Sequence, residues 1–429
     1  MTQVCEHHQT LFSRANKVIP GGVNSPIRAW KQVETMPFVP IKGEGDTITD
    51  LQGNTYIDYC MSFGALILGH APQKPLQAAF AAMQNGSTYG LTTEIEVLIA
   101  EEIAKRTFCD QVRFVSSGTE ALSTMIRLAR GFTQKNLIVK FDGNYHGHID
   151  ALLEDAGSYA EEIKTGKGSS GVTVSSVRDT ISLPYNDEAA VSALFSRPDI
   201  ASNIALVLLE PVAGNMGVVP ASRRFLELLR EKTEAVGALL GFDEVISGFR
   251  VHPEGACGLY QIDPDLVAYG KIVGGGFPAA CIGGRKEIME SLAPLGNVFQ
   301  AGTLSGNPVA LAAGFAALQE LQENVYQELA RKTALLLDPI EKALEKTPHS
   351  LQKVGSMFSF FFYEKAPQTR PQFSPESRAL FQKLFRMLLK EGVYFAPAIT
   401  EAQFISAAHT DEHLLKTREI LLRFFRDQS

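Results

Sequence analysis

The chain has 429 residues, 45% of them hydrophobic and 20% charged, with a formal net charge of −7. That acidic balance removes the basic face that nucleic acid or an anionic membrane surface would require. No apolar run approaches the roughly 18 residues of a membrane helix, and the opening MTQVCEHHQTLFSR has neither the basic nor the apolar region of a secretory signal, so a soluble cytoplasmic protein is expected.

In chain order, VIPGGVNSPIRAW is broken by Pro20, Gly21, Gly22 and Pro26 and reads as a turning arm ending near Arg28. GDTITDLQGNTYIDYC alternates polar and apolar residues about Gln52-Gly53-Asn54, as a β-hairpin does. Buried runs then alternate with helical stretches: VRFV (112–115), LIVKF (137–141), IALVLLE (204–210), ALLGFDE (238–244) and LVAYG (266–270). RRFLELLREKTEAVG supplies an amphipathic helix between two of them. This alternation predicts an α/β fold with a mainly parallel central sheet, whose ligands gather at the C-terminal strand ends. The Gly- and Ser-rich segment 154–180 is too long for an ordinary connection and reads as an active-site lid or a surface insertion. After about residue 310 a further helix, the strand MFSFFFY and two helical stretches suggest a smaller α+β domain. The expected division is an arm and hairpin (1–60), a large α/β domain (61–310) and a small C-terminal domain (311–429).

The five cysteines, Cys5, Cys60, Cys109, Cys257 and Cys281, are scattered and form no CxxC pair, so neither a disulfide framework nor a zinc site is signalled. The chemistry lies just beyond the buried strands. Ser117-Gly118-Thr119 turns the chain into a helix expected from about Glu120 to Gly131; its N–H groups and hydroxyls would suit a phosphate, although a plain N-cap looks the same. Tyr145, His146 and His148 follow the next strand, offering a ring to stack on a flat ligand and only a faint metal signal. Asp243 and Glu244 end a buried strand, where a carboxylate needs a cationic partner or hydrogen-bond donors.

Lys271 follows another buried run and precedes Gly274, Gly275 and Gly276. Alone it could be a snorkelling surface lysine. Together, a phosphate cup, a stacking ring, a buried acid and a lysine are the parts that pyridoxal 5′-phosphate requires: a Schiff-base lysine and an acidic partner for the pyridine nitrogen. Opposite charges 4 Å apart attract by about 4 kcal/mol at an effective dielectric of 20, enough for Asp243 to keep that nitrogen protonated.

The runs FDEVISGFR, GKIVGGGFPAACIGGR and QAGTLSGNPVA resemble the class III, fold-type I pyridoxal-phosphate aminotransferases. PGGVNSPIRA, RFVSSGTEA, YHGHID, EPVAGNMGVVP and EAQFISAAHT are similar, more narrowly, to their aminomutase branch, which moves an amino group within one substrate to supply tetrapyrrole synthesis. The resemblance implies Lys271 as the lysine that carries pyridoxal or pyridoxamine phosphate, Asp243 at the ring nitrogen and Val245 packed on the ring. Ser117, Gly118 and Thr119 would bind phosphate, and Tyr145 would stack. Thr303 would reach the cofactor of a neighbouring subunit, which requires a homodimer. Arg28, Ser158 and Glu401 match positions near the substrate. Phe63, Ala65, Leu91, Thr92, Asp155 and Tyr159 depart from the usual pattern around the substrate pocket and lid. Two rival readings are an ω-aminotransferase with a separate keto-acid acceptor and a cofactor-binding protein without turnover.

Overall fold

The computed structural model describes residues 7–153 and 169–428. Contacts divide the chain into two units, the first comprising Met1–Pro72, Gln327–Ala366 and Gln372–Ser429, the second Gln73–Tyr326 with Pro367–Pro371.

The second unit is built on a seven-stranded sheet of β1 (Gln111–Val115), β2 (Leu137–Phe141), β3 (Thr180–Leu183), β4 (Ile204–Leu209), β5 (Leu239–Glu244), β6 (Leu266–Tyr269) and β7 (Ala280–Gly284). The spatial order is β1-β7-β6-β5-β4-β2-β3. Only β7 runs antiparallel, to both β6 and β1; the other pairings are parallel. β4 and β5 are buried at every position, which is why they read as continuous apolar runs rather than alternating ones. Helix α1 (Gly118–Thr133) covers the sheet with Leu122, Met125, Ile126 and Leu128, all buried. It starts two residues before the expected Glu120 and runs past Gly131, because a glycine inside an otherwise apolar helical stripe is tolerated. Helix α2 (Arg223–Val236) is capped by Ser222 and ends at Gly237, whose φ of 64° a residue with a side chain adopts less readily.

In the first unit the hairpin is present: Thr47–Asp50 pairs antiparallel with Thr55–Asp58. The second hairpin strand also pairs in parallel with Val393–Tyr394 near the C-terminus. Those bonds draw the N-terminal segment and the C-terminal part into one unit, and the main divisions between the units by contact fall at 72/73 and 326/327. Helix α3 (Pro308–Glu320), assigned from sequence mostly to the small domain, belongs to the second unit. The arm carries a helix, His8–Val18, tied down by His8, whose Nε2 lies 3.3 Å from Asp50 Oδ2. Within the expected lid, residues 169–180 include a helical turn, Val174–Val177, and the start of β3.

Candidate active site

The C-terminal ends of β1, β2, β5 and β6 each deliver one of the predicted groups. In β5 and β6, Asp243 stands opposite Ala268 and Glu244 opposite Tyr269, so Lys271 leaves the sheet one strand over from Asp243. Lys271 opens a short 3₁₀ turn, Lys271–Gly274, with φ at 48°. Left-handed backbone at a residue with a side chain costs roughly 1–2 kcal/mol, and such residues cluster at functional sites.

Val245 joins these segments. A Cβ placed on Gly118 would lie 3.1 Å from Val245 Cγ2, and one on Gly270 would lie 3.2 Å from Val245 Cγ1. The first turn of α1 and the residue before Lys271 therefore both abut Val245, and a side chain at either position would crowd it. The loop after β2 approaches from the other side. A Cβ on Gly147 would meet Thr119 Oγ1 at 2.4 Å, and His148 Nδ1 lies 3.3 Å from the same oxygen.

Asp243, 5% exposed, is held by two groups. Its Oδ1 accepts the Val245 N–H at 3.0 Å, and its Oδ2 lies 2.8 Å from His146 Nδ1. Burial lowers the His146 pKa, opposed by the bond to Asp243. A neutral ring then donates through Nδ1–H, which orients the carboxylate. His146 was noted in the sequence only as a faint metal or stacking signal; its part here depends on a contact between residues far apart in the chain. Glu244 points away to the Ala256 N–H at 2.7 Å and to Ser247, with burial pushing its pKa up to about 7.

Ser117 is a true N-cap: its hydroxyl accepts from the Glu120 N–H, and the Glu120 carboxylate accepts from Ser117 N–H in return. This capping box, a Ser-x-x-Glu pattern readable in the sequence, commits the Ser117 side chain to the helix start. The N–H groups of Gly118 and Thr119 and the Thr119 hydroxyl remain at the positive end of α1.

Thr303 stands apart from this cluster. It is exposed and lines a cavity of about 630 Å³ with Tyr89, Leu91, Thr92 and Glu96. In the first unit, Arg28 lines a cavity of about 490 Å³ with Trp30, Asp58, Cys60, Ser62 and Phe63. Glu401 belongs to the same unit, and its charge helps burial to raise the Cys60 thiol pKa. Ser158 lies outside the described residues. Gly275, at φ 57°, faces the backbone of α3, where a Cβ would lie 2.4 Å from Ala313 O. Among the described residues no group of three His, Cys, Asp or Glu side chains is arranged to hold a metal, and no helix is long and apolar enough to cross a membrane.

The family model of aminotransferase class III matches residues 29–421. The chain belongs to the class III aminotransferases. Within them it is 47% identical over 423 residues, 98% of both chains, to the glutamate-1-semialdehyde 2,1-aminomutase of Protochlamydia amoebophila. It is 48% identical over 415 residues to the enzyme of that name from Nitrosospira multiformis, covering 96% of this chain and 97% of the relative. Among solved class III folds, an omega-transaminase from Sphaerobacter thermophilus superposes with a TM-score of 0.90 at 29% identity, covering 99% of this chain and 98% of the other. A glutamate-1-semialdehyde aminomutase from Pseudomonas aeruginosa superposes at 0.85 and 24% identity, covering 98% and 94%, which speaks to the fold alone.

Proposed function

We propose that this class III aminotransferase converts glutamate-1-semialdehyde to 5-aminolevulinate by moving an amino group between two carbons of one substrate, using pyridoxal or pyridoxamine phosphate. The observation that carries the reading is near-full-length identity of 44–48% to relatives named for this activity.

The site residues fit that cofactor. Gly118, Gly147 and Gly270 keep side chains out of the cradle around Thr119 and Val245. His146 Nε2 is buried without a hydrogen-bond partner among the described residues, beside the carboxylate it holds; such an atom is costly unless a polar ligand reaches it. When bound, the cofactor supplies an electron sink and an amine carrier.

The chain's own residues do the rest. Gly118 and Thr119 bind phosphate oxygens through N–H groups and a hydroxyl. Asp243 offers its carboxylate to the protonated ring nitrogen, and Tyr145 and Val245 orient the ring. Lys271 Nζ takes a proton from one substrate carbon and returns one to the other. Arg28 pairs with the substrate carboxylate, Glu401 and Ser158 adjoin the substrate, and Thr303 serves the cofactor of a second subunit. The exposed apolar residues Leu295, Phe299 and Leu304, close to Thr303 in sequence, support a homodimer.

The test is incubation of the purified holoenzyme with glutamate-1-semialdehyde and no keto acid. Sustained formation of 5-aminolevulinate supports the mutase; turnover that appears only with an added keto acid supports the ω-aminotransferase alternative.

A further inference from the structure

Immediately after β4, Glu210 is a buried acid that none of the roles above employs. Its Oε1 accepts the Tyr145 N–H at 2.8 Å. Its Oε2 accepts the Gly214 N–H at 3.0 Å, and Asn215 Nδ2 donates to both oxygens, at 3.2 and 3.0 Å. Glu210's own N–H donates to Asn144 Oδ1 at 2.9 Å, and its carbonyl accepts the Tyr185 hydroxyl at 2.7 Å. The loop after β2 is thus gripped at two successive residues, Asn144 by its side chain and Tyr145 by its backbone. The next residue in that loop is His146, which holds Asp243.

We infer that Glu210 is a positioning residue of the reaction, fixing the Asn144–His146 backbone so that Tyr145 meets the cofactor ring while His146 holds Asp243 at the ring nitrogen. The inference rests on the cofactor roles given to Tyr145 and Asp243 above. Every group at the carboxylate is a donor, so the geometry is that of the ionised acid. Burial and the nearby Asp243 charge raise the Glu210 pKa, and the donors from Tyr145, Gly214 and Asn215 oppose that rise by holding the charged form. Asp243 and Tyr185 are the ionisable groups that act on it. A neutral amide of the same shape would keep one acceptor oxygen and turn an NH₂ toward the Gly214 N–H or the Asn215 amide, where donors would oppose donors.

The experiment uses Glu210→Gln, prepared as apoprotein and titrated with pyridoxal phosphate, with cofactor absorbance followed from pH 6 to 9. Expected are an affinity about tenfold weaker, a shifted pH profile of the absorbance, and a kcat for glutamate-1-semialdehyde that falls more than KM changes. Asn144→Ala, which releases the same loop from the other grip, should move the profile in the same direction and serves if the first variant does not fold. Unchanged affinity and an unchanged absorbance profile in the folded variant would overturn the inference. The titration needs no substrate. A wild-type enzyme that fails to make 5-aminolevulinate, while Glu210→Gln still moves the profile, would refute the proposed function and leave Glu210's role standing.

Discussion

Gly275→Ala tests how the lysine turn is built. Two costs separate cleanly at this position. The first is conformational: at φ 57° a side chain is disfavoured by roughly 1–2 kcal/mol. The second is steric. The new Cβ would lie 2.4 Å from Ala313 O, 2.5 Å from Ala313 C and 2.9 Å from Gly314 N, all backbone atoms of α3 that cannot rotate away. Forced overpacking of this kind costs about 1–3 kcal/mol. Gly237→Ala, in the same unit, isolates the first cost, since its φ is 64° and its only neighbour within 4 Å is the flexible Lys135 Nζ at 3.8 Å. Urea unfolding of the two apoproteins by circular dichroism should therefore show Gly275→Ala less stable than Gly237→Ala by about 1–3 kcal/mol. Because the α3 contact sets the height of the turn, pyridoxal phosphate binding should also weaken in Gly275→Ala alone. Equal losses of stability and of cofactor binding in the two variants would refute the account of the turn as packed against α3.

Further outcomes are expected elsewhere. Lys271→Ala should abolish both turnover and the absorbance of lysine-linked cofactor; a variant that stays fully active would remove Lys271 from its role. Asp243→Asn should remove the charge at the ring nitrogen and turn an NH₂ toward the Val245 N–H or His146 Nδ1, lowering kcat at least tenfold, as steady-state rates with saturating cofactor would show. Thr303→Ala should make cofactor loss on dilution faster if a second subunit supplies that hydroxyl, measurable by gel filtration with absorbance detection. In the first unit, burial holds the His409 pKa down to about 4. The unfolded chain, near 6.5, binds the proton more readily, so stability is fully present above pH 6.5 and falls as pH drops toward 4. The loss between pH 7 and 5 is about 2 kcal/mol, and His409→Gln should flatten it in apoprotein denaturation curves.

The long-range frame of the second unit was legible because β4 and β5 are buried on both faces and so apolar throughout. β7 was not legible. Its sequence, ACIGG, is dictated by close approach: a Cβ on Gly283 would meet Cys109 Sγ at 2.7 Å, and one on Gly284 would meet Asp265 O at 2.5 Å. Small residues chosen for proximity carry no strand signature. β3, TISL, is half-buried at each position and short, so it merged with the Gly- and Ser-rich stretch before it. Thr119, Tyr145, Asp243 and Lys271 stood out in the sequence because each lies at or just beyond the end of a buried run. Glu210 obeys the same rule at the end of IALVLLE and could have been singled out by it. His146 could not, since its meaning lies in one 2.8 Å contact across 97 positions of chain. The Ser-x-x-Glu spacing after β1 could have separated Ser117, spent on capping, from Gly118 and Thr119.

The antiparallel insertion of β7 has a mechanical consequence for Lys271. Asp243 and Tyr145 sit on segments that leave the sheet for crossover connections, whereas the chain that carries Lys271 leaves β6 and returns at once alongside it as β7. Both ends of the lysine's span are thus stitched into neighbouring strands of one sheet, and its middle is seated on α3. A tether this short has little slack, so the backbone acts as a fixed pivot. The Lys271 amine then moves by swinging its four methylenes about that pivot, with the loop itself at rest.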